Sequence, residues 1–314
     1  METEITRTDK IKGGIIGLLV GDALGVPYEF HARREIPPFD EIEFEPPAGF
    51  RRAHAGVSPG TYSDDGAQAL ILLNSLLVCE KFDAGHFARG LIDWYDHGFM
   101  AVGGVVFDVG IQTANAIREL KHGVNPLLAG GRDEYSNGNG SLMRVLPLAL
   151  WHRGSDAELI ADAFDQSTVT HGHLRSKLCC ALYCLWARRI LENVENPWEN
   201  AVETFYEIFR EGTIERTEFE TRIFPRDAMF DVRGSGYVVD SLRAARWAND
   251  NKTYEKVVKA AISLGEDTDT TACIAGGIAG LKFGLDAIPE RWRENLRGNE
   301  TYEPLLEKLL GREI

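Results

Sequence analysis

Cysteine is scarce in this chain of 314 residues: Cys79, Cys179, Cys180, Cys184 and Cys273, with no C-x-x-C spacing. An odd number without paired spacing speaks against a disulfide framework and a zinc knuckle, and the thiols read as reduced core residues of a cytoplasmic protein. Basic residues are also in deficit, 34 Lys and Arg against 48 Asp and Glu, for a formal charge of −14. Phosphate backbones need a basic face, so no extended nucleic-acid surface is expected. The most apolar early stretch, Gly13 to Val20, is too short to span a bilayer, and Asp22 interrupts the run beyond it. The polar opening METEITRTDKIK has no signal-peptide pattern, and no membrane association is expected. A P-loop, an EF-hand and the dinucleotide fingerprint are all missing. Internal repeats, low-complexity tracts and Ser/Gly linkers are absent, and alternating strand patterns are few.

What remains is a chain with 44% hydrophobic and 26% charged residues, ordinary globular values. It is long enough to bury a core unaided. Length alone suggests about two domains, but without a linker the expectation is one domain over residues 1–314. Helical periodicity dominates in Ala67 to Leu77, Leu142 to Trp151, Leu178 to Leu191, Val238 to Trp247 and Val257 to Leu264. The pattern predicts an all-α fold of about a dozen helices, with starts near residues 8, 64, 83, 104, 141, 156, 172, 197, 235, 252, 268 and 285. Residues 26–62, 123–140 and 219–236 read as irregular. Gly13, Gly17, Gly21 and Gly25 form one small-residue stripe, and Ala272, Gly276 and Gly280 another, flanked by Ala275 and Ala279. Each glycine costs about 1 kcal/mol of helix propensity against alanine, so packing must compensate. The two helices are expected to be buried and to cross near each other.

Several constellations carry chemistry. Ser63-Asp64-Asp65 precedes an apolar helix, and Asp267-Thr268-Asp269-Thr270 precedes the Gly/Ala-rich one. Each reads alone as a helix start, with capping side chains and acids at the positive end. Together they read as two halves of a site of hard oxygen ligands, suited to Mg²⁺ or Mn²⁺. Glu29 comes after the first striped helix and taken alone is a surface acid. Asn137-Gly138-Asn139-Gly140-Ser141-Leu142-Met143-Arg144 is either a tight turn or an anion-binding helix entry. Thr170-His171-Gly172-His173 offers H-x-H, but no third soft ligand accompanies it. Tyr237, between Gly236 and an apolar helix, either packs in the core or stacks on a base.

The combination resembles the ADP-ribosylglycohydrolase family, over about Ile11 to Trp292. The motifs GDALGVPYEF, TYSDDGAQAL, FDVG, NGNGSLMR, TH, GSGYVVDSL and LGEDTDTTACIAGGIAG occur in order. The resemblance implies an all-α orthogonal helical bundle with a binuclear Mg²⁺ or Mn²⁺ centre in a cleft. It implies Ser63, Asp64, Asp65, Asp267, Asp269 and Thr270 as metal ligands. Glu29 matches an acid that gates the cleft near the metals, and Asp108 an acid near the scissile bond. Asp64, Asp65, Asp108 and Glu29 are then the candidate acids and bases. Gly103, Gly104, Asn139, Gly140, Ser141, Met143, His171 and Tyr237 match loops that hold ADP-ribose. The implied partner is an ADP-ribosylated protein or small conjugate, the implied product ADP-ribose, and a monomer is in keeping with the family. Ser63 stands where many members have Thr, keeping the hydroxyl. Ile111-Gln112-Thr113 replaces the usual N-T-T, and residues 51–60 match no family pattern. The expected activity is hydrolysis at C1″ of the ribose, with arginine the expected acceptor. The alternatives are a serine linkage, a non-protein conjugate, a nucleotide phosphatase and a non-catalytic ADP-ribose binder.

Overall fold

The computed structural model describes residues 5–224 and 231–312. It is all-helical, and isolated bridges are the only extended pairings among those residues. The helices are α1 (Arg7–Gly25), α2 (Asp64–Cys79), α3 (Ala84–His97), α4 (Ile111–Lys121), α5 (Pro126–Ala129), α6 (Leu146–Trp151), α7 (Asp156–Thr168) and α8 (Leu174–Leu191). They continue with α9 (Pro197–Ile208), α10 (Ile214–Glu218), α11 (Val238–Ala248), α12 (Tyr254–Ile262), α13 (Thr268–Phe283), α14 (Glu290–Arg293) and α15 (Asn299–Leu310).

The two small-residue stripes meet, as expected. Helices α1 and α13 lie against each other with backbone touching backbone. A Cβ on Gly21 would sit 2.2 Å from Ala272 O, and one on Gly280 would sit 1.9 Å from Gly13 O. Tyr254 donates from its hydroxyl to Gly17 O at 2.7 Å, and Tyr183 to Ile274 O at 2.9 Å. The stretch Arg7–Tyr28 is long and apolar enough by composition to cross a membrane, yet here it is almost wholly buried in the protein's own core. Gly280→Ala gains about 1 kcal/mol of helix propensity, but overpacking costs about 1–3 kcal/mol and more where backbone must move. At 1.9 Å the clash wins. The variant should lose stability in urea denaturation; unchanged stability would show that the pair can slide apart.

Most helix starts fall within a few residues of expectation. The start near 104 moves to Ile111, because Gly103 and Gly104 take φ of 60° and 72° and close only a short 3₁₀ turn. The one near 141 moves to Leu146, where Pro147 sits in the first turn after a compact turn over 139–145. Near 285 there is a 3₁₀ turn, Leu285–Ala287, with α14 starting at Glu290. Helices α5, α10 and α15 were not among the expected starts; the first two are short, and α15 carries Pro304 inside it. Residues 26–62 are irregular apart from 3₁₀ turns. The 219–236 loop opens instead with a π-helical turn, Phe219–Ile223, and its residues 225–230 lie outside the described residues.

Candidate active site

Close approach of α1 and α13 sets the site. A Cβ on Gly25 would sit 2.4 Å from Asp269 Cα, so the end of α1 rests on the start of α13. Asp22, one turn earlier, reaches sideways to α2. Its carboxylate accepts from Ser63 N at 2.9 Å and from Gly66 N at 2.8 Å. These are orphan amides of a helix N-terminus, and an acid there also meets the positive end of the dipole. Asp22 thus clamps α2 to α1, a role with no local signal in its own stretch of sequence. Ser63 caps α2, its Oγ accepting from Asp65 N at 3.3 Å.

Two helix starts therefore face each other, and their acids converge. Thr270 Oγ1 donates to Asp65 Oδ1 at 3.1 Å, and Thr270 N donates to Asp269 Oδ1 at 2.8 Å. Asn139 Nδ2 donates to Asp267 Oδ2 at 2.8 Å and to Ser241 Oγ at 2.9 Å. Gln68 Nε2 donates to Asp64 Oδ2 at 2.9 Å, and Gln68 in turn accepts from the buried Arg144 guanidinium at 2.8 Å. Asp22, Asp65 and Asp269 bring carboxylate oxygens within 4.8 Å of one another, and so do Glu29, Asp267 and Asp269. Asp269 is common to both groups. Glu29 is thus a buried acid and not the surface one its own stretch of sequence suggested.

Two oxygens in this cluster have no partner: Asp65 Oδ2 and Asp269 Oδ2 are buried without a hydrogen bond. An unsatisfied buried carboxylate oxygen is costly, and two in one acidic cluster fit a hard divalent cation, which prefers such donors. Burial first, then neighbouring acids, drives the carboxyls toward the protonated form. Asp22 is pushed up to about 7 and Glu29 to about 10. Asp64, Asp65 and Asp269 are raised well above the ordinary range, burial again leading. A bound cation inverts that preference, because its charge favours the ionised form.

Above the cluster opens a cleft of about 930 Å³. Of the residues singled out from sequence, Glu29, Asp64, Asp108, Asn139, Gly140, Met143, His171, Asp267 and Thr270 line it. Ser63, Asp65 and Asp269 lie buried beneath. The ring of His171 is wrapped by the Asn-Gly turn: a Cβ on Gly140 would sit 2.9 Å from its Cε1. Its Nδ1 meets Thr170 Oγ1 at 2.7 Å. Burial, helped by the Arg144 charge, pushes this imidazole down to about 3, so it is neutral. The remaining singled-out positions do not line the cleft. Ser141 is buried and accepts from Ser167 Oγ at 2.9 Å. Tyr237 accepts from Arg175 Nη1 at 3.0 Å beneath that guanidinium. Gly103 and Gly104 are exposed, with open space where a Cβ would be.

One further residue enters that sequence reasoning missed. His54, from the unmatched 51–60 segment, places Nε2 2.6 Å from Glu29 Oε2 and 3.9 Å from Asp108 Oδ1. Burial pushes His54 down, while Asp108 opposes the shift. Phe30, His54, Asp108 and Glu266 all take positive φ, from 46° to 64°. Non-glycine residues held there cost about 1–3 kcal/mol each and gather at functional sites.

Comparison with known proteins agrees with this geometry. The ADP-ribosylglycohydrolase family profile matches residues 3–314. The ADP-ribosylarginine hydrolase Tri1 of Pseudomonas putida (strain GB-1) is 32% identical over 307 residues, covering 97% of this chain and 78% of that protein. The ADP-ribosyl-[dinitrogen reductase] glycohydrolase of Rhodospirillum rubrum is 27% identical, covering 92% of this chain and 90% of that one. A solved structure described as an ADP-ribosylglycohydrolase-related protein complex superposes with a TM-score of 0.76 at 30% identity, covering 96% of this chain and 97% of that chain. All-helical fold, acid-floored cleft and similarity together define a glycosyl-bond hydrolase. The chain belongs to the ADP-ribosylglycohydrolase family.

Proposed function

We propose that this protein is a metal-dependent hydrolase that frees ADP-ribose from ADP-ribosylated arginine in proteins, with two Mg²⁺ or Mn²⁺ ions bound. The observation that carries the metal reading is the pair of unpartnered oxygens, Asp65 Oδ2 and Asp269 Oδ2, within acid groups that share Asp269. Ser63, Asp64, Asp65, Asp267, Asp269 and Thr270 are the proposed ligands, and Asp22 and Glu29 join the proposal because their carboxylate oxygens belong to those acid groups. When bound, such cations lower the pKa of water and orient it for attack. The arginine linkage is supported by the 32% identical relative that is named for it. A protein acceptor is supported by the cleft mouth. Phe30, Ile111 and Tyr135 line it while 69%, 83% and 97% exposed, and apolar groups gathered at a site mark protein contact.

The reaction adds water across the bond. A new C1″–O bond forms, the C1″–N bond breaks, and the leaving guanidine takes a proton. The transition state carries positive charge on the ribose, and the acidic floor stabilises it. Glu29 and Asp108 both line the cleft beside His54, with carboxylate oxygens within 4.8 Å of each other, and are the carboxyls proposed to exchange protons with leaving group or water. Asn139 fixes Asp267 by its hydrogen bond. Asn139, Gly140, Met143 and His171 form the wall assigned to ribose and diphosphate.

The test is release of ADP-ribose from two peptides, one modified on arginine and one on serine, with Mg²⁺ and with chelator. Release from the arginine peptide that chelator stops is expected. Release that survives chelator would remove the metals from the reaction, and cleavage of the serine peptide alone would replace the linkage. Phosphate release from nucleotides, with both peptides intact, would replace the reaction class.

A further inference from the structure

The geometry points to His54 as a positioning residue that fixes Glu29 over the acidic floor, beside Asp108. Glu29 comes after α1, and Asp108 precedes α4; no helix joins them. His54 Nε2 lies beside both, 2.6 Å from Glu29 Oε2 and 3.9 Å from Asp108 Oδ1, and the two carboxylates come within 4.8 Å of each other. Its ring is held from two sides, with Phe30 at 5.5 Å and Phe107 at 5.2 Å between centroids. Those phenylalanines are the chain neighbours of Glu29 and Asp108. The ring is therefore gripped by the same two segments that carry those carboxylates.

The backbone supports a specific arrangement. Phe30, His54 and Asp108 all take positive φ, at 64°, 46° and 53°. Ala53 N donates to Pro27 O at 2.9 Å, and Phe30 N to Glu266 O at 2.7 Å. The first bond docks the 51–60 segment beside Glu29, and the second docks Glu29 beside the start of α13. With Oε2 held by the imidazole, Glu29 faces Asp267 and Asp269 with a single orientation of its carboxylate. A long side chain with free rotamers would otherwise lose entropy each time it was needed there. Hydrogen-bonded partners of ligating carboxylates act in this way, and their loss costs about 10–100-fold in metal affinity or activity.

The inference rests on the proposed hydrolysis, and its test separates the two. Three variants divide hydrogen bonding from packing: His54→Gln keeps an N–H at similar reach, His54→Phe keeps the ring contacts without it, and His54→Ala keeps neither. Each is measured for kcat and KM on the ADP-ribosyl-arginine peptide and, without substrate, for Mn²⁺ affinity by calorimetry. The expected result is His54→Gln close to wild type, with His54→Phe and His54→Ala both lower by about 10–100-fold in kcat/KM and weaker for Mn²⁺. In a Glu29→Ala background, His54→Phe should add nothing further. His54→Phe equal to wild type, or His54→Gln as poor as His54→Ala, would overturn the assignment. A wild-type protein inert on the peptide would sink the proposed reaction instead, and the Mn²⁺ series would still decide the role of His54.

Discussion

Asp269→Asn should lower release of ADP-ribose by more than about 100-fold, beyond the usual loss for an outer partner of a metal, while leaving the metal-free fold intact. Asp269 is fully buried and belongs to both acid groups. Its Oδ1 accepts from Thr270 N, and its Oδ2 has no partner. Asparagine keeps the first oxygen and replaces the second with an amide that binds no cation. One substitution therefore weakens both candidate cation positions. Mn²⁺ calorimetry should show the loss directly. Thermal denaturation in chelator should show the variant at least as stable as wild type, since an uncompensated buried acid has gone. Retention of activity within about 10-fold would remove Asp269 from the metal-holding set.

The metal-free protein should become less stable as pH rises, and added Mg²⁺ should reverse the trend. Asp22 in the folded state is pushed up to about 7 and Glu29 to about 10, and Asp64, Asp65 and Asp269 rise well above the ordinary range. In the unfolded chain these acids return to about 3.9–4.3. Above that range the folded state binds more protons than the unfolded one, so stability falls with rising pH. The contribution is complete below the unfolded values and is lost through the folded ones, across neutral pH. At about 1.4 kcal/mol for each tenfold change in proton affinity, a single group produces a measurable change. Cations compete with those protons, so the gain in Tm from Mg²⁺ should grow with pH. A metal-free Tm that climbed from mildly acid to mildly alkaline buffer would show that the cluster is not buried in solution as it is here. A Mg²⁺ effect independent of pH would place the ion elsewhere.

Much of this organisation was legible in the residues. The helix start at Asp64 shows locally through the Ser63 cap and its first-turn acids, and the one at Thr268 through the first-turn acid Asp269, because such groups act within four residues of one another. The glycine stripes announced the α1–α13 contact, since a helix that gives up propensity at every fourth position must gain packing for it. Glu29, Asp108, Asn139 and His171 carried motif matches, and all four line the cleft.

Asp22 and His54 were not legible in that way. Asp22 sits in the last turn of α1, and the amides it holds are 41 and 44 residues away. His54 lies in a segment with no period, cap or motif, 25 residues from Glu29. Local chemistry along the chain is enough to specify where helices begin, which faces are small and which turns carry acids, because those signals act between near neighbours. Which acid clamps a helix, which is left without a partner, and which imidazole holds Glu29 depend on distances between segments far apart in the chain. Those distances exist only once the backbones of α1 and α13 have closed on each other, so they were decided by tertiary packing.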